Sequence, residues 1–218
     1  MENYKREFIQ FLQNAGVLKF GDFTAKSGRK IPYFINAGMI KTGNEIAKLG
    51  EFYAKAYFER LGNVNTVLYG PAYKGIPLSV SAAVALSKNG LNVPFFFNRK
   101  EAKDHGEGGV FVGYVPTKGE EVVIIEDVIT AGTAIRESME ILSHLEGVKV
   151  SAAFIMVDRK EKGKGSKGAM AEIEEEFGFP VYSVVDVYDI IEYLEEKEDN
   201  RENVDRIKKY LEVYGANA

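Results

Sequence analysis

Residues 122–137 read VVIIEDVITAGTAIRE, and this stretch decides the fold. Residues 122–125 are a short, continuous apolar run, the pattern of a strand buried on both faces. The run delivers two acids, Glu126 and Asp127. A turn rich in threonine and glycine follows (Thr130, Ala131, Gly132), and the spacing predicts a helix over 133–145. Helix N-termini leave amide hydrogens free and carry partial positive charge, so they hold phosphate. Gly132 lets the backbone approach, and Thr130 and Thr133 add hydroxyl donors. Two carboxylates beside a phosphate cup repel the phosphate unless they bind something else. Sugar hydroxyls or a hydrated Mg²⁺ are the natural partners. The combination asks for one ligand carrying both a phosphate and a polyol. The plainer reading of the same letters is a capped helix after a strand, with two surface acids.

Outward from this stretch the chain has a rhythm. Short apolar segments at 66–69, 93–97, 110–115, 150–157 and 181–187 read as strands. Segments 76–87 and 169–177, and two more near 188–197 and 201–213, read as helices. Strands alternating with helices predict an α/β fold with a mostly parallel central sheet flanked by helices. In such sheets ligands bind at the carboxyl ends of the strands. Before the rhythm begins, Tyr4, Phe8, Phe11, Leu12 and Ala15 recur at helical spacing, and Gly16 stops the run. Residues 20–34 mix aromatics with Ser27-Gly28 and read as a hairpin. Thr42 and Glu45 form a capping box ahead of the stripe Ile46, Leu49, Tyr53 and Tyr57.

Composition narrows the function classes. The chain has 218 residues, 28 Lys+Arg against 32 Asp+Glu, and a net charge of −4, which gives no general case for nucleic-acid or membrane binding. It has no cysteine, which excludes disulfides, thiol nucleophiles and thiolate zinc sites. No apolar run reaches the roughly 18 residues of a membrane span. The N-terminus lacks a basic-then-apolar signal pattern, so a cytoplasmic protein is expected. The length suits one domain over 1–218.

Three further segments carry chemistry. Residues 99–109 supply Arg99, Lys100, Lys103 and His105 among Gly106, Gly108 and Gly109. That is either a solvated surface loop or a lid that closes over a strongly anionic ligand. Residues 70–75 (GPAYKG) follow a strand and precede a helix; their amides can cup a second phosphate, with Lys74 as counter-charge. Arg159 follows the strand at 150–157 and offers a planar fork to a planar carboxylate.

The run at 122–137 resembles the phosphoribosyl-diphosphate motif of type I phosphoribosyltransferases. Lys26-Ser27-Gly28-Arg29 with Pro32-Tyr33-Phe34, the 70–75 loop, residues 97–109 and Asp158-Arg159 resemble segments of the bacterial orotate phosphoribosyltransferase family, in order and over nearly the whole chain. The resemblance implies the type I phosphoribosyltransferase fold with a small hood, mainly residues 1–40 with part of the C-terminal region. It implies transfer of a phosphoribosyl group to orotate, giving orotidine 5′-monophosphate and diphosphate, in pyrimidine biosynthesis. It implies Mg²⁺, held mainly through the substrate diphosphate and water.

The same resemblance distributes roles. Contacts to phosphoribosyl diphosphate fall to Lys26, Tyr73, Lys74, Arg99, Lys100, Lys103, His105 and to Glu126, Asp127, Val128, Ile129, Thr130, Ala131, Gly132, Thr133 and Ala134. Phe34, Ile35, Thr130 and Arg159 line the orotate pocket; Ile35 stands where many relatives carry a second aromatic. Lys103, Asp127 and Arg99 are the implied catalytic residues. A cis peptide is implied at Ala72–Tyr73. The 99–109 loop is implied to be mobile and to reach the neighbouring subunit's site, making the protein a homodimer.

Other readings remain at this point. A transferase for another base would share the acid-rich motif. A regulator that binds phosphoribosyl diphosphate would keep the fold. Residues 163–168 (GKGSKG) fit G-x-G-x-x-G by letter and suggest a nicotinamide-binding oxidoreductase. That fingerprint should come directly off a strand, and here residues 159–162 intervene.

Overall fold

The computed structural model describes residues 1–25, 28–103, 109–129, 131–163, 165–196 and 198–216, with the backbone alone at 102 and 103. The N-terminal helix α1 (Asn3–Asn14) ends before Gly16 (φ 68°). A hairpin follows, β1 (Leu18–Thr24) and β2 (Lys30–Ile35), which forms its own two-stranded sheet. Helix α2 (Gly43–Leu61) starts at the expected capping box: the Thr42 side chain accepts from the Glu45 amide, and Glu45 accepts from the Thr42 amide.

The central sheet has six strands: β3 (Val67–Gly70), β4 (Phe95–Lys103), β5 (Gly109–Gly113), β6 (Glu121–Val128), β7 (Lys149–Asp158) and β8 (Val181–Asp186). Their order is β5-β4-β3-β6-β7-β8, parallel throughout except for the edge pair β4–β5. The connecting helices are α3 (Gly75–Lys88), α4 (Thr133–Leu142) and α5 (Ala169–Phe177), and the chain closes with α6 (Val187–Glu195) and α7 (Arg201–Tyr214). None of the described helices is long and apolar enough to cross a membrane.

The sheet is covered on both faces, as its unbroken apolar strands require. Val123, Ile125 and Phe154 join one core with Phe8, Phe52 and Tyr53 of α1 and α2 and Leu86 of α3. Val122, Ile124 and Ile155 join the other with Ile135 of α4 and Ile173 of α5. This is the two-residue alternation of a strand whose faces both meet helices.

Several boundaries differ from the sequence reading. The β6 strand continues through Glu126 and Asp127, because Glu126 and Val128 still pair with Ile155 and Val157. The β4 strand runs on to Lys103, because β5 pairs with it antiparallel as far as Lys103 and Gly109. Helix α4 stops at Leu142: the Ser143 amide makes the last four-residue bond, to Met139, and those of His144 and Leu145 bond three residues back. Val187 belongs to α6, because the Asp186 carboxylate accepts from the Tyr188 and Asp189 amides and caps the helix there.

The topology fixes where chemistry can occur. From β3 the chain moves outward through α3 to β4 and β5. It then returns to the other side of β3 as β6 and moves the opposite way through β7 and β8. The reversal leaves a crevice between the carboxyl ends of β3 and β6, the place where open α/β sheets bind ligands. The hairpin leans on the C-terminal helix: Arg206 of α7 donates to Gly21 O at 3.1 Å and pairs with Asp22, and Tyr33 meets Tyr210 edge-on. Acids of the 192–202 stretch also tie the ends together. Glu192 pairs with the N-terminal amine, Glu196 with Arg6, and Glu195 with Lys208.

Candidate active site

Three loops meet at the carboxyl edge of the sheet. The first leaves β3 as Gly70-Pro71-Ala72-Tyr73-Lys74 and enters α3 at Gly75. Its Ala72–Tyr73 peptide is cis, as the resemblance implied. The loop is so tight that a Cβ on Gly70 would collide with the Gly75 carbonyl and the Ser79 hydroxyl. Asn98 of β4 holds the loop from beside: its buried Oδ1 accepts from the Tyr69 hydroxyl at 2.8 Å and the Ala72 amide at 3.0 Å. Tyr73 and Lys74 are left exposed, with Lys100 Nζ 5.1 Å from the Tyr73 ring centroid.

The second loop leaves β6. Glu126 and Asp127 are each only 6% exposed, so they are not the surface acids of the plainer reading. Glu126 Oε1 accepts from the Asp127 amide at 3.0 Å, and Asp127 Oδ1 accepts from the Val128 amide at 2.8 Å. Lys74 Nζ lies 3.0 Å from Asp127 Oδ2, which joins the two loops across the crevice. Tyr53 of α2 donates from beneath to the Glu126 carbonyl at 2.6 Å. Burial pushes the Glu126 carboxyl up to about 8; the Asp127 amide works against this, and the Asp127 charge adds to it. Burial also holds the Tyr53 hydroxyl well above its ordinary value, so it remains a donor.

The turn into α4 has the features a phosphate needs. Gly132 is left-handed (φ 72°), and a Cβ there would fall 2.8 Å from Ile173 Cδ1. Among the described residues the helix starts with no side-chain cap and no acid in its first turn, which leaves its first amides open to an anion. Arg136 braces the turn by donating to the Ala131 carbonyl at 2.6 Å and to Glu176 at 2.7 Å. Val128 and Ile129 are largely buried, whereas Thr133 and Ala134 are exposed at the helix start.

The third loop follows β7 and carries Arg159, whose side chain is 15% exposed. Its guanidinium carbon lies 5.1 Å from the centroid of the Tyr33 ring, beneath the hairpin. On that hairpin Phe34 is 40% exposed and stacked on Phe23, so it is not a core side chain; Ile35 is partly buried. Arg99 Nη1 donates to the Gly109 carbonyl at 3.2 Å, across the two stems of the 99–109 loop. Lys26, His105 and Thr130 lie outside the described residues, as does the side chain of Lys103.

The comparisons now bear on this geometry. The Phosphoribosyl transferase domain family matches residues 36–184. An orotate phosphoribosyltransferase of Clostridium acetobutylicum is 48% identical over 222 residues, covering 99% of both chains. One of Actinobacillus pleuropneumoniae is 50% identical over 216 residues, 99% of this chain and all of that one. The chain belongs to the orotate phosphoribosyltransferase family. The crystal structure of a Francisella tularensis orotate phosphoribosyltransferase superposes with a TM-score of 0.86 at 39% identity, over 96% of this chain and 100% of that one. The fold is thus the type I phosphoribosyltransferase fold, and the chain is a member of an enzyme family of pyrimidine biosynthesis. Residues 163–168 do not form a dinucleotide fingerprint in this orotate phosphoribosyltransferase fold: β7 ends at Asp158, and Lys162 bridges to Gly168 instead.

Sequence reasoning missed Asn98 and Tyr53. Asn98 lay within a quoted stretch but gave no signal of its own, because its function is to hold another loop. Tyr53 read as one residue of an apolar stripe, which is also true.

The raised Glu126 carboxyl has a consequence for stability. The folded state resists ionising a group that ionises near 4.5 when unfolded, so stability falls as pH rises from there toward 8. The Glu126→Gln variant removes that burden. Urea midpoints should show the variant gaining on the parent as pH rises and levelling above pH 8, with the two converging near pH 4. A variant that loses ground as pH rises would contradict the assignment.

Proposed function

We propose that the crevice between β3 and β6 transfers the phosphoribosyl group of 5-phosphoribosyl 1-diphosphate to orotate. The observation that carries this reading is the pairing of two buried carboxylates with an uncapped, glycine-led helix start at one strand end, 3.0 Å from a lysine of the facing loop. The ribose hydroxyls go to Glu126 and Asp127. The 5′-phosphate goes to the turn and helix start at Thr130, Ala131, Gly132, Thr133 and Ala134, flanked by Val128 and Ile129. The diphosphate goes to Tyr73 and Lys74, with Lys26, Arg99, Lys100, Lys103 and His105. Orotate lies against Phe34 and Ile35 with its carboxylate on Arg159 and further contact from Thr130.

In the reaction the orotate N1 forms a bond to ribose C1 as the bond from C1 to diphosphate breaks, and the N1 proton leaves. The transition state has oxocarbenium character, with negative charge gathering on the leaving group. No nucleophilic side chain is required, which agrees with a chain lacking cysteine. The protein's work is positioning and electrostatic stabilisation. Glu126 and Asp127 fix the ribose while Lys74, Arg99, Lys100 and Lys103 meet the charge developing on diphosphate.

The donor set suits Mg²⁺ brought by the substrate. Among the described residues no three acids or histidines cluster as a cage. Mg²⁺ commonly keeps waters and takes one or two carboxylates plus phosphate oxygens, which Asp127 and a diphosphate beside it can supply. When bound it would neutralise charge on the departing diphosphate.

We place the enzyme in the cytoplasm as a homodimer, with the 99–109 loop of one subunit closing over its partner's site. The antiparallel pairing of Lys103 with Gly109 brings both ends of the intervening segment side by side on the outer strands of the sheet, which supports this reading. Purified protein with orotate, 5-phosphoribosyl 1-diphosphate and Mg²⁺ should show Mg²⁺-dependent loss of orotate absorbance, with adenine, hypoxanthine and uracil unused. Consumption of a different base would overturn the role of Arg159, and binding of phosphoribosyl diphosphate without turnover of any base would favour a regulator. Mixing inactive Lys103→Ala chains with inactive Asp127→Ala chains should restore part of the activity through hybrid dimers. No recovery after verified subunit exchange would place the loop in its own subunit's site.

A further inference from the structure

Arg159 is held more firmly than a ligand-binding arginine at a strand end needs to be for stability. The backbone is set first. The Lys160 amide donates to Asp158 Oδ1 at 2.8 Å, and Lys160 adopts a left-handed conformation (φ 50°), rare outside glycine. Lys160 Nζ closes back on Asp158 Oδ2 at 2.9 Å. This turn sets the direction in which Arg159 leaves the sheet.

The side chain is set second, by a single carboxylate. Glu161 Oε1 lies 2.6 Å from Arg159 Nη2, while its Oε2 accepts from Arg29 Nη1 at 3.3 Å. Arg29 belongs to the hairpin loop and is held in turn by the C-terminal helix. It donates to the Tyr210 hydroxyl at 3.3 Å, and its guanidinium carbon lies 4.6 Å from the Tyr214 ring centroid. Glu161 is anchored through its backbone, which bridges to Gly215 just beyond that helix. One carboxylate therefore links the hairpin, the Arg159 loop and α7.

Two features separate this cluster from a merely structural ion pair. Two arginines share one carboxylate, so the cluster keeps a net positive charge, counting Arg29, Arg159 and Glu161. Further, among the described residues Arg159 Nε, the Tyr33 hydroxyl and Glu161 Oε1 are buried without a hydrogen-bond partner, so Glu161 holds Arg159 by charge at 2.6 Å and leaves the Nε–H free for a ligand. Buried donors left unpaired disfavour folding, so they mark a site shaped for something other than stability.

We propose that Glu161 is a positioning residue for the base pocket: it fixes the fork of Arg159 over Tyr33 so that the guanidinium meets a planar carboxylate-bearing base in one orientation. This rests on the reading that Arg159 receives the orotate carboxylate. An arginine free to rotate would have to lose its rotamer entropy on binding; one already held by Glu161 has lost it in folding.

The test uses two nucleotides that differ only in the carboxylate, the product orotidine 5′-monophosphate and its decarboxylated counterpart uridine 5′-monophosphate, each titrated calorimetrically into the full-length protein. Glu161→Gln keeps the shape and removes the charge. It should weaken orotidine 5′-monophosphate about tenfold, the scale of one close charge pair, and leave uridine 5′-monophosphate unchanged. Equal weakening of both nucleotides means a structural role and overturns the proposal, as does no change in either. Arg159→Ala is the control. If it abolishes the preference for the carboxylate while Glu161→Gln preserves it, the positioning role fails and the pocket reading stands. If Arg159→Ala itself preserves the preference, the pocket reading fails and takes the positioning role with it. Should Glu161→Gln not fold, Arg29→Gln decides. It removes the other partner of Glu161 and should shift the same preference in the same direction by a smaller factor; an unchanged preference overturns the proposal.

Discussion

Glu126 and Asp127 sit adjacent and buried at the carboxyl end of β6, and much of the site follows from making that arrangement tolerable. Two neighbouring carboxylates out of water repel each other, and burial beside Asp127 makes Glu126 resist ionisation. The structure answers with local donors. The Asp127 amide serves Glu126, the Val128 amide serves Asp127, and Lys74 reaches across the crevice from the β3 loop. Lys74 can do so because its loop is pinned by Asn98 and entered through close-packed glycines. The acids therefore need the facing loop in place, and the facing loop carries the groups proposed for the diphosphate. A substrate with ribose hydroxyls between two phosphate ends fits that division of charge.

The side of the crevice proposed for the base is built on another scale. It depends on contacts far apart in sequence: the hairpin supplies Tyr33 and Phe34, the loop after β7 supplies Arg159, and α7 supplies Tyr210. Terminal helices α1 and α6 are tied together by exposed pairs such as Arg6–Glu196, each worth little alone. The stronger link is apolar, with Phe8 and Leu12 of α1 sharing a core with Ile190 and Leu194 of α6. Both chain ends thus support the hairpin that borders the proposed base pocket.

Much of this was legible in the sequence because it rests on local pattern. The apolar run at 122–125, the acids after it and the glycine before α4 are adjacent, so the strand, its turn and the helix start could be read from letters alone. The capping box at Thr42 and the cis peptide at Ala72–Tyr73 were also expected, the latter through the resemblance. The burial of Glu126 and Asp127 was not legible, since it depends on β6 continuing to pair with β7 past the apolar run. Nor were the roles of Asn98 and Glu161. Asn98 acts on a loop 26 residues away, and Glu161 on Arg29, 132 residues away. Such separations leave no periodic or spacing signal. Residues 163–168 show the opposite failure, a pattern of glycines without the strand that would give it meaning.

The central claim is that the end of β6 and its facing loop form the phosphoribosyl site. Amide hydrogen exchange, with and without 5-phosphoribosyl 1-diphosphate and Mg²⁺, tests it most directly. Exchange should slow in peptides covering 126–135 and 70–75 and stay unchanged over 163–168. Slowing over 163–168 with 126–135 unaffected would contradict the account.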